Sequence, residues 1–214
     1  MSTAVILAGG ESRRMQRDKL ALRFGGESLL ASAARRFSAG FDEVWLSVAD
    51  PDKYSEIAIP RVVDIYKGCG PMGGLHAALS AAAGTGVFLI AADLPFADPA
   101  AALRIMALAG ESDVCLLADS RGRYEPLFAY YKKSILPQVE AALQAGQYKL
   151  ADVLDRVRLR LVRAPELGSL WSDRLLLNIN YPEDYEKLIA GTSSAKPESL
   201  PYCQKAPNDL NSRT

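Results

Sequence analysis

Short uninterrupted apolar runs alternate along this chain with stretches in which apolar positions recur every three or four residues. Thr3 to Leu7, Glu43 to Ala49, Arg61 to Ile65, Gly86 to Ala91, Asp113 to Ala118 and Arg158 to Arg163 read as strands, and Pro126 to Tyr131 as a further extended segment. Between them, Leu29, Leu30, Ala33, Ala34 and Phe37 fall on one helical face, with Ser28 as cap and Gly40 as stop. Further helices are predicted from the glycines at 68–74 through about Ala83, over Pro99 to Ala109, Ser134 to Gln144 and Leu150 to Leu154, and after Pro182. Strand and helix alternate throughout. That order implies right-handed βαβ crossovers and an α/β, three-layer α/β/α Rossmann-like fold around a mostly parallel mixed sheet. Leu175 to Asn180 is a further short segment. From Gly191 onward the chain is rich in Ser, Pro, Lys and Asn, so residues 1–190 are expected to form one domain and 191–214 a disordered tail.

At 214 residues the chain is long enough to bury a sizeable core. Its formal net charge is zero, which argues against nucleic acid or a membrane surface as a partner held by bulk charge. Cys69, Cys115 and Cys203 show no metal-type spacing and suit a reducing compartment. No signal-peptide pattern opens the chain and no run of about 18 apolar residues occurs, so the expectation is a soluble cytoplasmic protein.

One stretch stands out against this background. Directly after the first strand comes Leu7-Ala-Gly-Gly-Glu-Ser-Arg-Arg-Met-Gln-Arg-Asp-Lys19. Two glycines at a strand exit let the backbone approach a ligand with its N–H groups exposed, and Arg13, Arg14, Arg17 and Lys19 add charge-assisted donors. A polyphosphate fits such a loop; a solvated basic turn is the plainer reading. It is not a Walker A loop, because no glycine precedes Lys19 and Leu20 follows it. In order and spacing it resembles the N-terminal signature of the MobA-like nucleotidyltransferases, and best the branch that transfers GMP to molybdopterin. Gln16 departs from the pattern, where glycine is common.

The resemblance extends in motif order over roughly residues 3 to 190. Asp93 leaves a buried strand in Asp-x-Pro, where a carboxylate can hold a divalent ion beside substrate phosphates. The resemblance makes Asp93 the Mg²⁺ ligand, Asp64 the guanosine-recognising residue, and Gly70, Pro71 and Gly73 the flank of the nucleotide pocket. Without it, Asp64 is a turn residue, and a cap or turn before Pro95 is the plainer alternative for Asp93. Glu125 and Pro126 would line the acceptor side, as would Asn178 and Asn180 of Asn178-Ile-Asn-Tyr-Pro-Glu-Asp184, where Tyr181 replaces the usual Thr or Ser. Asn180 would also cap the last helix.

Taken together, the resemblance implies transfer of GMP from GTP to the terminal phosphate of (Mo-)molybdopterin, giving molybdopterin guanine dinucleotide and pyrophosphate. Leu7, Ala8, Gly9 and Gly10 would contact the nucleotide, and Arg14 and Lys19, with Asp93, would serve the phosphate chemistry. Mg²⁺ is the implied cofactor; GTP and molybdopterin are the implied partners, with molybdenum-insertion and molybdoenzyme-maturation proteins beyond them. Cytidylyl transfer and sugar-phosphate nucleotidyl transfer are alternatives on the same fold, and a non-catalytic adaptor a third. A different class is also spelled out: Gly68, Gly70 and Gly73 form G-x-G-x-x-G with Asp93 twenty residues on, the fingerprint of a dinucleotide-dependent oxidoreductase. Pro71 has no N–H for a pyrophosphate, and that reading leaves the basic loop unexplained. With His76 the single histidine, a Ser-His-Asp triad or a His-rich metal site is nearly excluded, and His76 reads as a helix-surface or packing residue. Cys69 has no base near it in sequence to make it a nucleophile.

Overall fold

The computed structural model describes residues 1–8, 19–118 and 122–191. In chain order the elements are β1 (Thr3–Leu7), β2 (Arg23–Phe24), β3 (Glu27–Ser28), α1 (Leu29–Ser38), β4 (Glu43–Val48), β5 (Arg61–Val63), α2 (Pro71–Ala81), β6 (Gly86–Ala91) and α3 (Pro99–Ala107). They continue with β7 (Val114–Ala118), β8 (Tyr124–Lys132), α4 (Leu136–Gln144), α5 (Leu150–Leu154), β9 (Leu159–Arg163), α6 (Ala164–Leu167) and α7 (Pro182–Gly191). Seven strands form one sheet in the order β5-β4-β1-β6-β8-β7-β9. Every neighbouring pair is parallel except the two that flank β8, which runs against both β6 and β7.

The apolar runs are continuous because both faces of the sheet are covered. Ile6, Phe88, Ile90 and Phe128 face the layer of α1 and α3; Val5, Leu89, Leu116 and Tyr131 face the layer of α2, α4 and α5. The Ser28 hydroxyl accepts from the Ala31 N–H and starts α1, as its sequence position predicts. Gly40 does not end that helix through a left-handed turn. Ala39 is the cap, and a Cβ on Gly40 would lie 2.8 Å from Pro99 Cβ, so glycine there serves the close approach of α3.

Two further expectations are sharpened and one is corrected. The extended segment at Pro126–Tyr131 is a full strand, and its antiparallel direction follows from the short connection between β7 and β8, too short for a crossover helix. Leu175–Asn180 joins no strand; Leu175, Leu176 and Ile179 instead plug the core as an irregular segment. The last helix opens at Pro182, so Asn180 lies outside the cap position, and the Asp184 carboxylate accepts from the N–H groups of Asn180 and Tyr181. The stretch expected to be a disordered tail lies, apart from Gly191, outside the described residues. Among the described residues no helix is long and apolar enough to cross a membrane.

Candidate active site

The chain leaves β1 toward β4 on one side and reaches β6 on the other, so a crevice opens above the carboxyl ends of β1 and β6. Leu7 pairs with Ser47 on β4 and with Ala91 on β6, and the Ala8 N–H donates to the Ser47 carbonyl at 3.0 Å. Nucleotide-contact candidates Leu7 and Ala8 therefore sit at the crevice floor. Gly9, Gly10 and Arg14 lie outside the described residues.

Asp93, two residues past β6, is 5% exposed. One of its oxygens, Oδ2, takes an ion pair and hydrogen bond from Lys19 Nζ; the other, Oδ1, is buried with no hydrogen-bond partner among the described residues. A buried carboxylate oxygen without a partner is costly, and a cation at that point would satisfy it. The residues thus fit a divalent ion. Among the described residues no group of three or more His, Cys, Asp or Glu could hold a metal.

The irregular segment before α7 is tied to the same place, because the Ile179 N–H donates to the Asp93 carbonyl at 3.2 Å. Asn178 and Asn180 flank that bond, and Asn178 Oδ1 is a second buried oxygen without a partner. Glu125 is 7% exposed, and its Oε1 accepts from the Leu127 N–H at 2.9 Å. Burial pushes its carboxyl up to about 7, with the Leu127 N–H working against that and the Asp93 charge adding to it. The β7–β8 register slips between Leu116 and Ala118, where Glu125 to Phe128 bulge from the ladder, a device that re-aims side chains near sites. Tyr131 Oη donates to the Pro126 carbonyl at 2.7 Å and pins the bulge.

On the other side of β1, Asp64 follows β5 and is 8% exposed. Its N–H donates to the Val48 carbonyl at 3.0 Å, and Ser47 Oγ donates to its Oδ1 at 3.1 Å. Burial raises this carboxyl above the usual range and the Ser47 hydroxyl partly offsets that. Gly70 caps α2 with φ 58° and ψ −144°, a conformation open only to glycine, and Pro71 begins the helix. A Cβ on Gly73 would lie 2.6 Å from the Tyr66 carbonyl, and one on Gly74 would lie 2.5 Å from Ser47 Oγ. Gly73 therefore serves the close fit of α2 under its loop.

Sequence reading missed two residues here. Ser47 is the lone hydroxyl of β4, set between the apolar Leu46 and Val48, which is the signal that was available. Arg36, on α1, donates to the carbonyls of Ala97 and Leu94 and so props the Asp93 turn from beneath; nothing in its helical position marked it. His76 is not on the surface: it is 4% exposed, a packing residue.

The dinucleotide fingerprint fails on placement. It belongs after the first strand of a sheet ordered 3-2-1-4-5-6, at the switch point; here the glycines follow β5 at the sheet edge, and β8 interrupts the parallel order. Comparisons with known proteins agree. Residues 4–161 match the model of the MobA-like NTP transferase domain. The probable molybdenum cofactor guanylyltransferase of Carboxydothermus hydrogenoformans is 36% identical over 189 residues, covering 87% of this chain and 94% of that protein. Among solved structures, molybdopterin-guanine dinucleotide biosynthesis protein A from Archaeoglobus fulgidus superposes with a TM-score of 0.78 at 24% identity, covering 89% of this chain and 98% of that one. The Rv0371C protein of Mycobacterium tuberculosis H37Rv, in complex with manganese, shares the fold at a TM-score of 0.59 and 19% identity, covering 88% and 97%. The chain belongs to the MobA-like NTP transferase family, as a homologue of its molybdenum cofactor guanylyltransferases.

Proposed function

We propose that this chain is a molybdenum cofactor guanylyltransferase: it transfers GMP from GTP to the terminal phosphate of (Mo-)molybdopterin and releases pyrophosphate. The observation that carries the reading is Asp93 at the switch point, one oxygen held by Lys19 and the other buried without a partner. Such a transfer needs alignment and charge stabilisation rather than a covalent intermediate. Asp93 Oδ1 would hold Mg²⁺; Asn178 Oδ1 is a second buried oxygen without a partner among the described residues, on the segment that Ile179 ties to Asp93. A bound Mg²⁺ supplies Lewis-acid stabilisation of charge on the phosphates.

The chain's own groups do the rest. The backbone of Ala8, Gly9 and Gly10 contacts the nucleotide, and Lys19 Nζ and Arg14 offset phosphate charge. Asp64, beside the pocket flank of Gly70, Pro71 and Gly73, recognises the base. A carboxylate accepts from both the ring N–H and the exocyclic amino group of guanine, whereas cytosine offers no ring N–H on that edge. That chemistry favours GTP over CTP. Glu125, Pro126, Asn178 and Asn180 line the acceptor side.

Thermal unfolding with GTP, CTP, ATP and NAD, each with and without Mg²⁺, tests the reading. A ligand at 100 times its dissociation constant adds about 2.7 kcal/mol. A shift with GTP and Mg²⁺, followed by dinucleotide formation when molybdopterin is added, is expected. A shift with CTP alone would change the nucleotide, and one with NAD alone would overturn the assignment.

A further inference from the structure

The loop between Asp64 and Gly70 has three points of attachment. At its start, Asp64 is tied to Val48 and Ser47. At its end, Cys69 is buried in the core beneath α2. Between them Ile65, Lys67 and Gly68 are exposed, and the one side chain that turns inward is Tyr66. Its ring stands edge-on to the imidazole of His76, centroids 4.8 Å apart and planes at 86°. Its carbonyl lies against the first turn of α2, over Gly73.

We propose that His76 is a positioning residue for the nucleotide loop, holding Tyr66 by ring contact and, through Tyr66, setting the backbone between Asp64 and Gly70. The hydrogen bonds of His76 do not account for its place in the core. Nε2 faces Glu140 Oε1 at 3.3 Å, and that carboxylate's side chain is 44% exposed; Nδ1 is buried with no hydrogen-bond partner among the described residues. What the imidazole supplies is a flat ring set perpendicular to that of Tyr66, the side chain that anchors the middle of the loop. An edge-to-face ring pair is worth a factor of about ten in the population of the held conformation at most.

Two replacements separate ring from hydrogen bond. His76→Phe keeps a ring for Tyr66 and gives up Glu140; His76→Gln keeps a donor at the Nε2 position and gives up the ring. Native-state trypsin cleavage after the exposed Lys67, located by mass spectrometry, reads loop opening without any ligand, and the KM for GTP reads its consequence. His76→Gln is expected to speed cleavage at Lys67 and raise the KM for GTP, each by about tenfold at most, with kcat at saturating GTP kept; His76→Phe stays near wild type on both. Tyr66→Ala, which changes no residue of α2, should reproduce His76→Gln, so a folding failure of either histidine variant does not end the test. Equal behaviour of the Phe and Gln variants, or no change in the Gln variant and Tyr66→Ala, overturns the proposal. The choice of GTP as probe rests on the guanylyltransferase reading. A wild-type protein that binds no GTP would sink that reading, while the cleavage comparison would still decide the role of His76.

Discussion

In the half of the sheet formed by β5, β4, β1 and β6 every neighbour is parallel, and the residues above it are held by backbone bonds made at strand ends: Ala8 on Ser47, Asp64 on Val48. In the half formed by β8, β7 and β9 one strand runs backward, the ladder bulges at Glu125, and an irregular segment supplies Asn178 and Asn180. The first half is a regular cradle whose shape follows from strand direction. The second is assembled from departures from regularity, each with its own local bond. Such a division suits an enzyme that binds a nucleotide on one side and a quite different acceptor on the other, with Asp93 and Lys19 on the seam.

If the seam is where both halves meet, its variants should lose most. Asp93→Asn removes the carboxylate that both Lys19 and a cation would use, and turnover should fall on the order of 10³-fold, the several kcal/mol that a bound cation contributes. Calorimetric titration with Mn²⁺ should lose its heat as well. Undiminished Mn²⁺ binding would move the metal away from Asp93. Lys19→Ala should cost about 10²–10³ in turnover, as for other single donors to developing charge, yet leave Mn²⁺ binding in place. Matching loss of metal binding in both variants would mean that the ion pair, and not Asp93 alone, builds the site.

Those two residues were also the ones best marked in the sequence, Lys19 by the glycine-and-basic loop that it closes and Asp93 by the same regularity. A parallel strand buried on both faces shows as an unbroken apolar run, and the residue after it must face the crevice; Gly86 to Ala91 followed by Asp93 needs no tertiary information. The backward β8 was visible only as an extended segment, because a strand's direction is set by its partners and leaves no trace in its own pattern. Leu175 to Asn180 read as one more element of the alternation, yet its leucines fill a gap between packed layers and pair with nothing. Arg36 was hidden for a similar reason: what it props is distant in sequence. Gly73 was assigned to nucleotide contact, and the close approach of the Tyr66 carbonyl gives it a packing role that only the folded chain displays.

The half of the sheet that carries Glu125, proposed above as the acceptor side, should show its pH dependence in stability. Glu125 is held near 7 when folded against an ordinary value of 4.5. An acid whose folded value is raised favours folding most below its unfolded value, and that contribution fades as pH climbs from about 4.5 through about 7. Glu125→Gln removes the dependence. Measured without divalent ions, the variant should gain stability over wild type by about 3 kcal/mol on going from pH 5 to pH 8, as an upper figure. Parallel unfolding midpoints across that range would show that Glu125 is solvated rather than buried. Its KM for the acceptor should change while that for GTP does not.

Ser47→Ala is the mirror case in the cradle, and the smallest effect. It takes from Asp64 the one side-chain donor to that carboxylate among the described residues and leaves the strand's backbone pairing intact. A single hydrogen bond of this kind contributes about 1 kcal/mol, so the KM for GTP should rise by about fivefold with kcat and the acceptor KM unchanged. The same donor is what restrains the upward shift of Asp64, so without it the carboxyl binds its proton at higher pH than in wild type. Because the proposed contact to guanine needs the ionised form, the KM defect should widen as the assay pH is lowered toward 5. A defect of constant size from pH 8 to pH 5 would mean that Ser47 acts on the shape of the cradle and not on the charge of Asp64.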